Sequence, residues 1–383
     1  MEKWMTLFFI ITLSAIIVSA QTEEEEWDNY LNYYADTLAQ TLRVDDTTFL
    51  NSIFDEDRFL EKILIQKDDE NIKFYNKSYS KRLKKELNIG KMIVEAIDTG
   101  HYDFVNHYTS VDGDIHMIFR LLGMDAAFNY HDYQLEWVEV DSVYRVTDVF
   151  FYGNGEKLSE TLQMVYKNLL RGALDVKVGN SRINKTALET NKFVKIKSLL
   201  ANQKYEEAKE LYYSIPKELR KHRIYKYWRI EILSHFENQE YIDAINDYNK
   251  SYPNDPSFFF LAYNKALIEE DWDAALKYIN KIDISVGLDS FLDYYRGVIF
   301  FNKEDYVKAQ EKFESAQSIY EFELLYDNLL ALYVETNQHA KAIKILNDYL
   351  SDFNYIKEDV IKWVKLNYAD FSQTTEFFVW EKE

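Results

Sequence analysis

Residues Arg296–Gln317 read RGVIFFNKEDYVKAQEKFESAQ. Small and aromatic residues punctuate this charged, helically spaced stretch: Gly297, then Tyr306, Ala309, Phe313 and Ala316. Residues three and four apart share one face of a helix. A small residue there admits a close neighbouring helix, and the large one four positions on fills the gap beside it.

The pattern returns along the chain. KYEEAKELYYSIP carries Tyr205, Ala208 and Tyr212, and EYIDAINDYNKSYPNDP carries Tyr241, Ala244 and Tyr248. DWDAALKYINKI carries Trp272, Ala275 and Ile279, and QHAKAIKILNDYL carries His339, Ala342 and Leu346. From Ala208 through Ala244, Ala275 and Ala309 to Ala342 the steps are 36, 31, 34 and 33 residues. A period of about 34 with aromatic, Ala and aromatic at fixed offsets resembles the tetratricopeptide repeat, a helix-turn-helix unit that stacks into a superhelix. One degenerate copy would be weak, whereas five in phase are strong.

The resemblance covers residues 191–350 as five units, and Tyr355–Phe371 reads as a cap helix within a C-terminal segment 351–383. Ala208, Ala244, Ala275, Ala309 and Ala342 take the small slot of helix B, and Gly297, twelve residues before Ala309, that of helix A. Trp228 takes the family's Trp slot and Pro256 its Pro slot, which ends helix B. Where the family favours Gly at the inter-helix turn, this chain has Gln203, Gln239, Glu304 and Asn337, and the third unit is one residue short. The resemblance implies a partner peptide or helix bound along a concave groove lined by helix A. Its register places Lys226, Arg229, Leu233, Phe236, Phe258, Leu261 and Lys265 on that face. Phe291, Tyr294, Tyr295, Val298, Phe301, Leu324, Asp327 and Asn328 follow. Such a groove is aromatic and only locally basic; it suits an apolar peptide and lacks the Lys, Arg and Asn needed to clamp a C-terminal carboxylate. Any of these side chains has a second reading as inter-helix core.

The N-terminal half is different. From Glu23 to Gly100 the apolar spacing is helical, with a break near Val44–Thr48. The period then becomes two in Gly113–Met124, Ala127–Val140 and Val143–Gly153, which predicts three strands joined at Met124–Ala126 and Asp141–Ser142 by antiparallel hairpins. The corner GNGE leads to a helix from about Glu156 to Leu170. Helices followed by a curved meander resemble the cystatin-like cone folds of the nuclear transport factor 2 class. No motif accompanies that likeness, so it transfers no site. The expected fold is mainly α: an α+β domain over 21–175 with an antiparallel sheet, a linker at 176–190, and an α–α superhelix.

His101, His107, His116 and His131 fall within 31 residues. Their spacing matches neither a helical His pair nor a two-His-one-carboxylate set, and there is no Cys, so they read as ordinary histidines rather than metal ligands. A cone with His116 or His131 facing Asp148 across an open pocket would carry a ligand or a reaction. Core packing accounts for Phe119, Trp137, Phe150 and Tyr152 without one. No nucleophile elbow, phosphate loop or dinucleotide fingerprint occurs, so neither a catalytic residue nor a cofactor is expected.

A 47% hydrophobic, 29% charged composition over 383 residues gives a globular protein with room for two domains. The net charge of −20 repels phosphate backbones and anionic headgroups, which argues against nucleic acid or a membrane surface as partner. MEKWMTLFFIITLSAIIVSA has the build of a secretory signal peptide cleaved after Ala20, the other reading being an uncleaved N-terminal anchor. Together these point to an exported, periplasmic or extracellular, non-enzymatic scaffold that binds a protein or peptide. The alternatives are a small-ligand or enzymatic N-terminal domain recruited by the repeats, and self-assembly through exposed solenoid ends.

Overall fold

A computed structural model describes residues 27–98, 100–123, 128–140, 143–177, 192, 195–196, 198–236, 239–253 and 255–383. The signal peptide, most of the linker and both predicted hairpin connections lie outside them. The fold is mainly helical, with one antiparallel sheet near the N-terminus and a long run of helices after it. Two compact units form: one ends at Tyr248, and the other is Asn249–Glu383.

In the first unit α1 (27–43) buries Leu31, Ala35, Leu38, Ala39 and Leu42, a stripe at helical spacing. Three further helices follow: α2 (Thr48–Ile53), α3 (Glu56–Ile63) and α4 (Glu70–Glu86). Then come α5 (Ile89–Ile97), a sheet, and α6 (Leu158–Lys177). The sheet has five strands in sequence order: β1 (His101–Thr109), β2 (Ile115–Leu122), β3 (Phe128–Val138), β4 (Val143–Phe151) and β5 (Glu156–Lys157).

The sequence predicted three strands, so β1 and β5 are additions. β1 lacks a clean alternation because a bulge between Phe104 and Asn106 shifts its register against β2. Opposed residues Met117↔Tyr133 and Ile115↔Leu135 put their side chains on one face, which joins the core of α1, α3 and α5. His116, Ile118 and Arg120 alternate onto the other face. A second bulge, passing Thr147, separates Gln134↔Asp148 from Leu135↔Val146. The helical spacing read from Glu23 to Gly100 breaks again at Phe54, which bridges Val146 while the Asp55 amide donates to the Val146 carbonyl at 2.8 Å.

The repeat helices begin within the first unit, with Tyr205–Tyr213, Arg223–Ser234 and Gln239–Ser251. Ala208, Tyr212, Trp228 and Ile232 share a core there. The second unit holds three antiparallel pairs: Pro256–Ile268 with Trp272–Val286, Leu292–Asn302 with Tyr306–Gln317, and Glu323–Glu335 with His339–Ser351. Lys357–Asn367 and Thr375–Lys382 follow. Pro256 does not end a helix B. It is the first residue of Pro256–Ile268, capped by Asp255, where its missing N–H costs no helical bond.

Four inter-helix turns repeat one geometry. Gln203, Glu270, Glu304 and Asn337 have φ of +56, +53, +59 and +56°, each five residues before the Ala of its helix B. Each amide donates to the carbonyl three residues back: Leu200, Leu267, Phe301 and Val334. The next amide reaches five back: Lys204 to Leu199 at 2.8 Å, Asp271 to Ala266 at 2.9 Å, Asp305 to Phe300 at 3.0 Å and Gln338 to Tyr333 at 2.7 Å. This paired bonding satisfies the last carbonyls of helix A, and it is normally closed by Gly because a side chain in the left-handed region costs about 1–2 kcal/mol. Gln239, the remaining turn position named from the sequence, lies inside its helix instead.

Candidate interaction surface

The four N-terminal histidines do not converge. His101 is exposed at the start of β1, and His107 approaches Asp28 at 3.7 Å. On one sheet face the His116 Nδ1 lies 2.7 Å from Asp132, whose other oxygen accepts from the Tyr108 hydroxyl at 2.9 Å. On the helix-facing side His131 is buried, with its Nδ1 3.0 Å from the Tyr102 hydroxyl, which in turn lies 2.9 Å from that of Tyr133. Burial alone pushes His131 down to about 3, so the ring is neutral.

Asp148 faces neither His116 nor His131. It accepts from the Ser159 and Val149 amides at 3.1 and 3.0 Å and from the Ser159 hydroxyl, so its carboxylate holds the start of α6. Phe119, Tyr102 and Tyr133 are fully buried on the helix-facing side, Tyr102 stacked on Phe119 at 5.4 Å. These rings fill the part of the sheet's helix-facing side around His131. Among the described residues no group of three or more His, Cys, Asp or Glu is placed to hold a metal ion.

In the repeats Ala208, Ala244, Ala275, Ala309 and Ala342 are all buried. Gly297 marks the closest approach within a pair: a Cβ built on it would overlap the Phe313 ring, with Phe313 Cγ at 3.0 Å. The predicted groove residues divide by burial. Phe258, Tyr294 and Tyr295 are only 5–7% exposed and sit in aromatic contacts, Phe258 against Tyr278 and Tyr294 against Phe322, so they serve inter-helix packing. Burial and the Asp327 charge push Tyr294 up to about 12.

Lys226, Arg229, Lys265, Phe301 and Asn328 are half-buried. Lys226 pairs with Asp247 at 2.7 Å, and Lys265 with Glu269 at 2.9 Å. The buried Arg229 Nε has no hydrogen-bond partner among the described residues, Phe301 packs on Tyr306 at 5.6 Å, and Asn328 donates to the Tyr294 hydroxyl at 3.2 Å. Arg296 binds Asp283 at 2.5 Å and Asp293 at 2.8 Å, which ties Leu292–Asn302 to Trp272–Val286.

Sequence register did not single out one cluster. Glu323, Asp327, Tyr349, Tyr355, Asp359 and Trp363 come together from three helices and the loop before the last of them. Asp327 alone had been placed on the groove. The Glu323–Asp327 spacing of four on a helix start was the only available signal, and it is common on solvated faces.

Among the described residues no helix is long and apolar enough to cross a membrane. No protein-family model matches the chain, and no curated protein does. Among solved structures it is similar to PilW, described as a widely conserved type IV pilus biogenesis factor, at 13% identity over 50% of this chain and 97% of that one. The TM-score is 0.38, too loose a likeness to carry either a fold or a function across.

Proposed function

We propose that this chain is an exported, non-enzymatic scaffold of tetratricopeptide type that holds a protein or peptide along its helix A groove, with the N-terminal α+β domain as a second docking surface. The supporting observation is the turn geometry at Gln203, Glu270, Glu304 and Asn337, repeated with the same backbone bonds and the same offset to a buried Ala. Helix pairs built on one template stack into an extended surface, and such surfaces serve recognition. Half-buried Lys265, Phe301 and Asn328 supply the accessible chemistry of this face in the second unit, and Lys226 and Arg229 that of the helix pair in the first. A ligand-binding or enzymatic role for a nuclear transport factor 2-like domain has less behind it, because Tyr102, Phe119 and Tyr133 fill the sheet's inner face and Asp148 is committed to α6.

The test is affinity capture from native envelope extract with the chain from Gln21 onward, beside a Phe301→Ala/Asn328→Ala variant. A saturable protein partner held by the wild type and lost by the variant at unchanged helical circular dichroism is the expected result. Equal retention by both would sink the groove assignment.

A further inference from the structure

A cavity of about 260 Å³ opens between Glu323–Glu335, His339–Ser351 and Lys357–Asn367. Three rings border it: Tyr349 meets Tyr355 at 5.8 Å and 89°, and Trp363 at 6.2 Å and 78°. Tyr355 and Trp363 thus both lie near-perpendicular to Tyr349 around one space.

Two carboxylates share that space. Asp327 accepts from the Tyr349 hydroxyl and Glu323 from that of Tyr355. Asp283 and Asp293 in this unit, by contrast, take Arg296, and Glu314 takes Lys341 at 2.8 Å. Among the described residues no Lys, Arg or His pairs with Glu323 or Asp327, and Asp359 at the rim pairs only with Lys362 on its own helix at 3.0 Å. Burial and the Glu323 charge hold the Asp327 carboxyl above its usual range. Hydrogen bonding to Glu323 pushes Tyr355 up to about 12. A neutral hydroxyl bonds one oxygen of each carboxylate, and among the described residues no cation pairs with either.

Aromatic faces attract cations through their quadrupoles, and carboxylates accept charge-assisted hydrogen bonds from N–H groups. Rings and acids bordering one cavity therefore select an organic cation over an anion or a neutral group. We propose that this cavity receives the ammonium or guanidinium end of a lysine or arginine side chain carried by a protein partner. The mouth argues for a polypeptide source: Tyr355 is 42% exposed, Trp363 37% and the adjoining Ile356 62%, leaving apolar surface for the chain on either side of the inserted residue. This pocket shares only Asp327 with the residues placed on the groove, and its chemistry does not rest on the groove reading.

Its test titrates N-acetylated, C-amidated Gly-Lys-Gly and Gly-Arg-Gly into the full chain. The readout is the Trp363 indole N–H signal by nuclear magnetic resonance, assigned with Trp363→Phe. The comparators are Gly-norleucine-Gly and tetramethylammonium. Saturable shifts with the Lys and Arg peptides in the millimolar range are expected, weakened about tenfold or more in Glu323→Gln/Asp327→Asn. That variant should keep its melting temperature or gain, because the repulsion between half-buried Asp327 and exposed Glu323 is removed. Lys and Arg peptides that shift the signal no more than norleucine, or bind the double variant as well as the wild type, overturn the proposal. Tetramethylammonium binding as tightly as the peptides overturns the polypeptide source. The probes need no natural partner, so failure of groove capture and failure here are separate outcomes.

Discussion

The sheet domain and the helix pairs solve the same packing problem with different materials. In the sheet domain, position is fixed by buried polar contacts between residues far apart in sequence: Tyr102 with His131 and Tyr133, Asp148 with Ser159, and Lys62 with Thr147 and Glu136. In the helix pairs it is fixed locally, by a left-handed residue, a small residue five positions later and a large apolar residue four after that. Long-range polar contacts make one structure specific and leave a pH signature. Local rules can be copied, and they leave a period.

The pH signature gives the largest test of this contrast. His131 has a folded value of about 3 against 6.5 when exposed, so the unfolded chain takes up a proton that the folded one does not. The stability that His131 contributes is present above pH 6.5 and lost as pH falls toward 3, by about 1.4 kcal/mol per unit in that window. Urea unfolding of the first unit between pH 6.5 and 5, before most carboxylates titrate, should show that slope, and His131→Phe should flatten it. An unchanged slope in the variant would remove His131 from the account.

Next in size is the local rule. Gly297→Ala puts a methyl into the Phe313 ring and should destabilise the second unit by about 1–3 kcal/mol, as overpacked cores do. A thermal midpoint within error of wild type would mean that the pair can open at no cost. Smallest, and opposite in sign, is Glu304→Gly: relief of a side chain at φ +59°, less the extra chain entropy of Gly, should stabilise by about 0.5–1 kcal/mol. If Glu304→Gly destabilises instead, the turn depends on the Glu side chain and not on its backbone alone.

Much of this contrast was readable beforehand. The Ala spacing, Gly297 and the helix-to-strand switch near Gly100 all follow from periodicity, because each depends on neighbours a few residues away. What escaped depends on distance in the chain. β1 mixes polar and apolar residues on both faces of a bulged strand. Tyr294 and Tyr295, placed on the groove by register, are buried by Phe291 and Phe322. The aromatic and acidic cavity is assembled from segments up to 40 residues apart, Glu323 to Trp363, so no window contains it.

The left-handed turns have one more consequence. Because one bonding pattern closes the elbows at Gln203, Glu270, Glu304 and Asn337, these have a set length, and the variation in repeat spacing between 31 and 36 residues must be taken up elsewhere. It falls partly in helix length, 15 residues for Trp272–Val286 against 12 for Tyr306–Gln317, and partly in the connectors that lead from one pair to the next, such as residues 214–222, 287–291 and 318–322. These are the joints where the chain can be lengthened, shortened or threaded with foreign sequence, while the elbows at Gln203, Glu270, Glu304 and Asn337 behave as pre-set brackets.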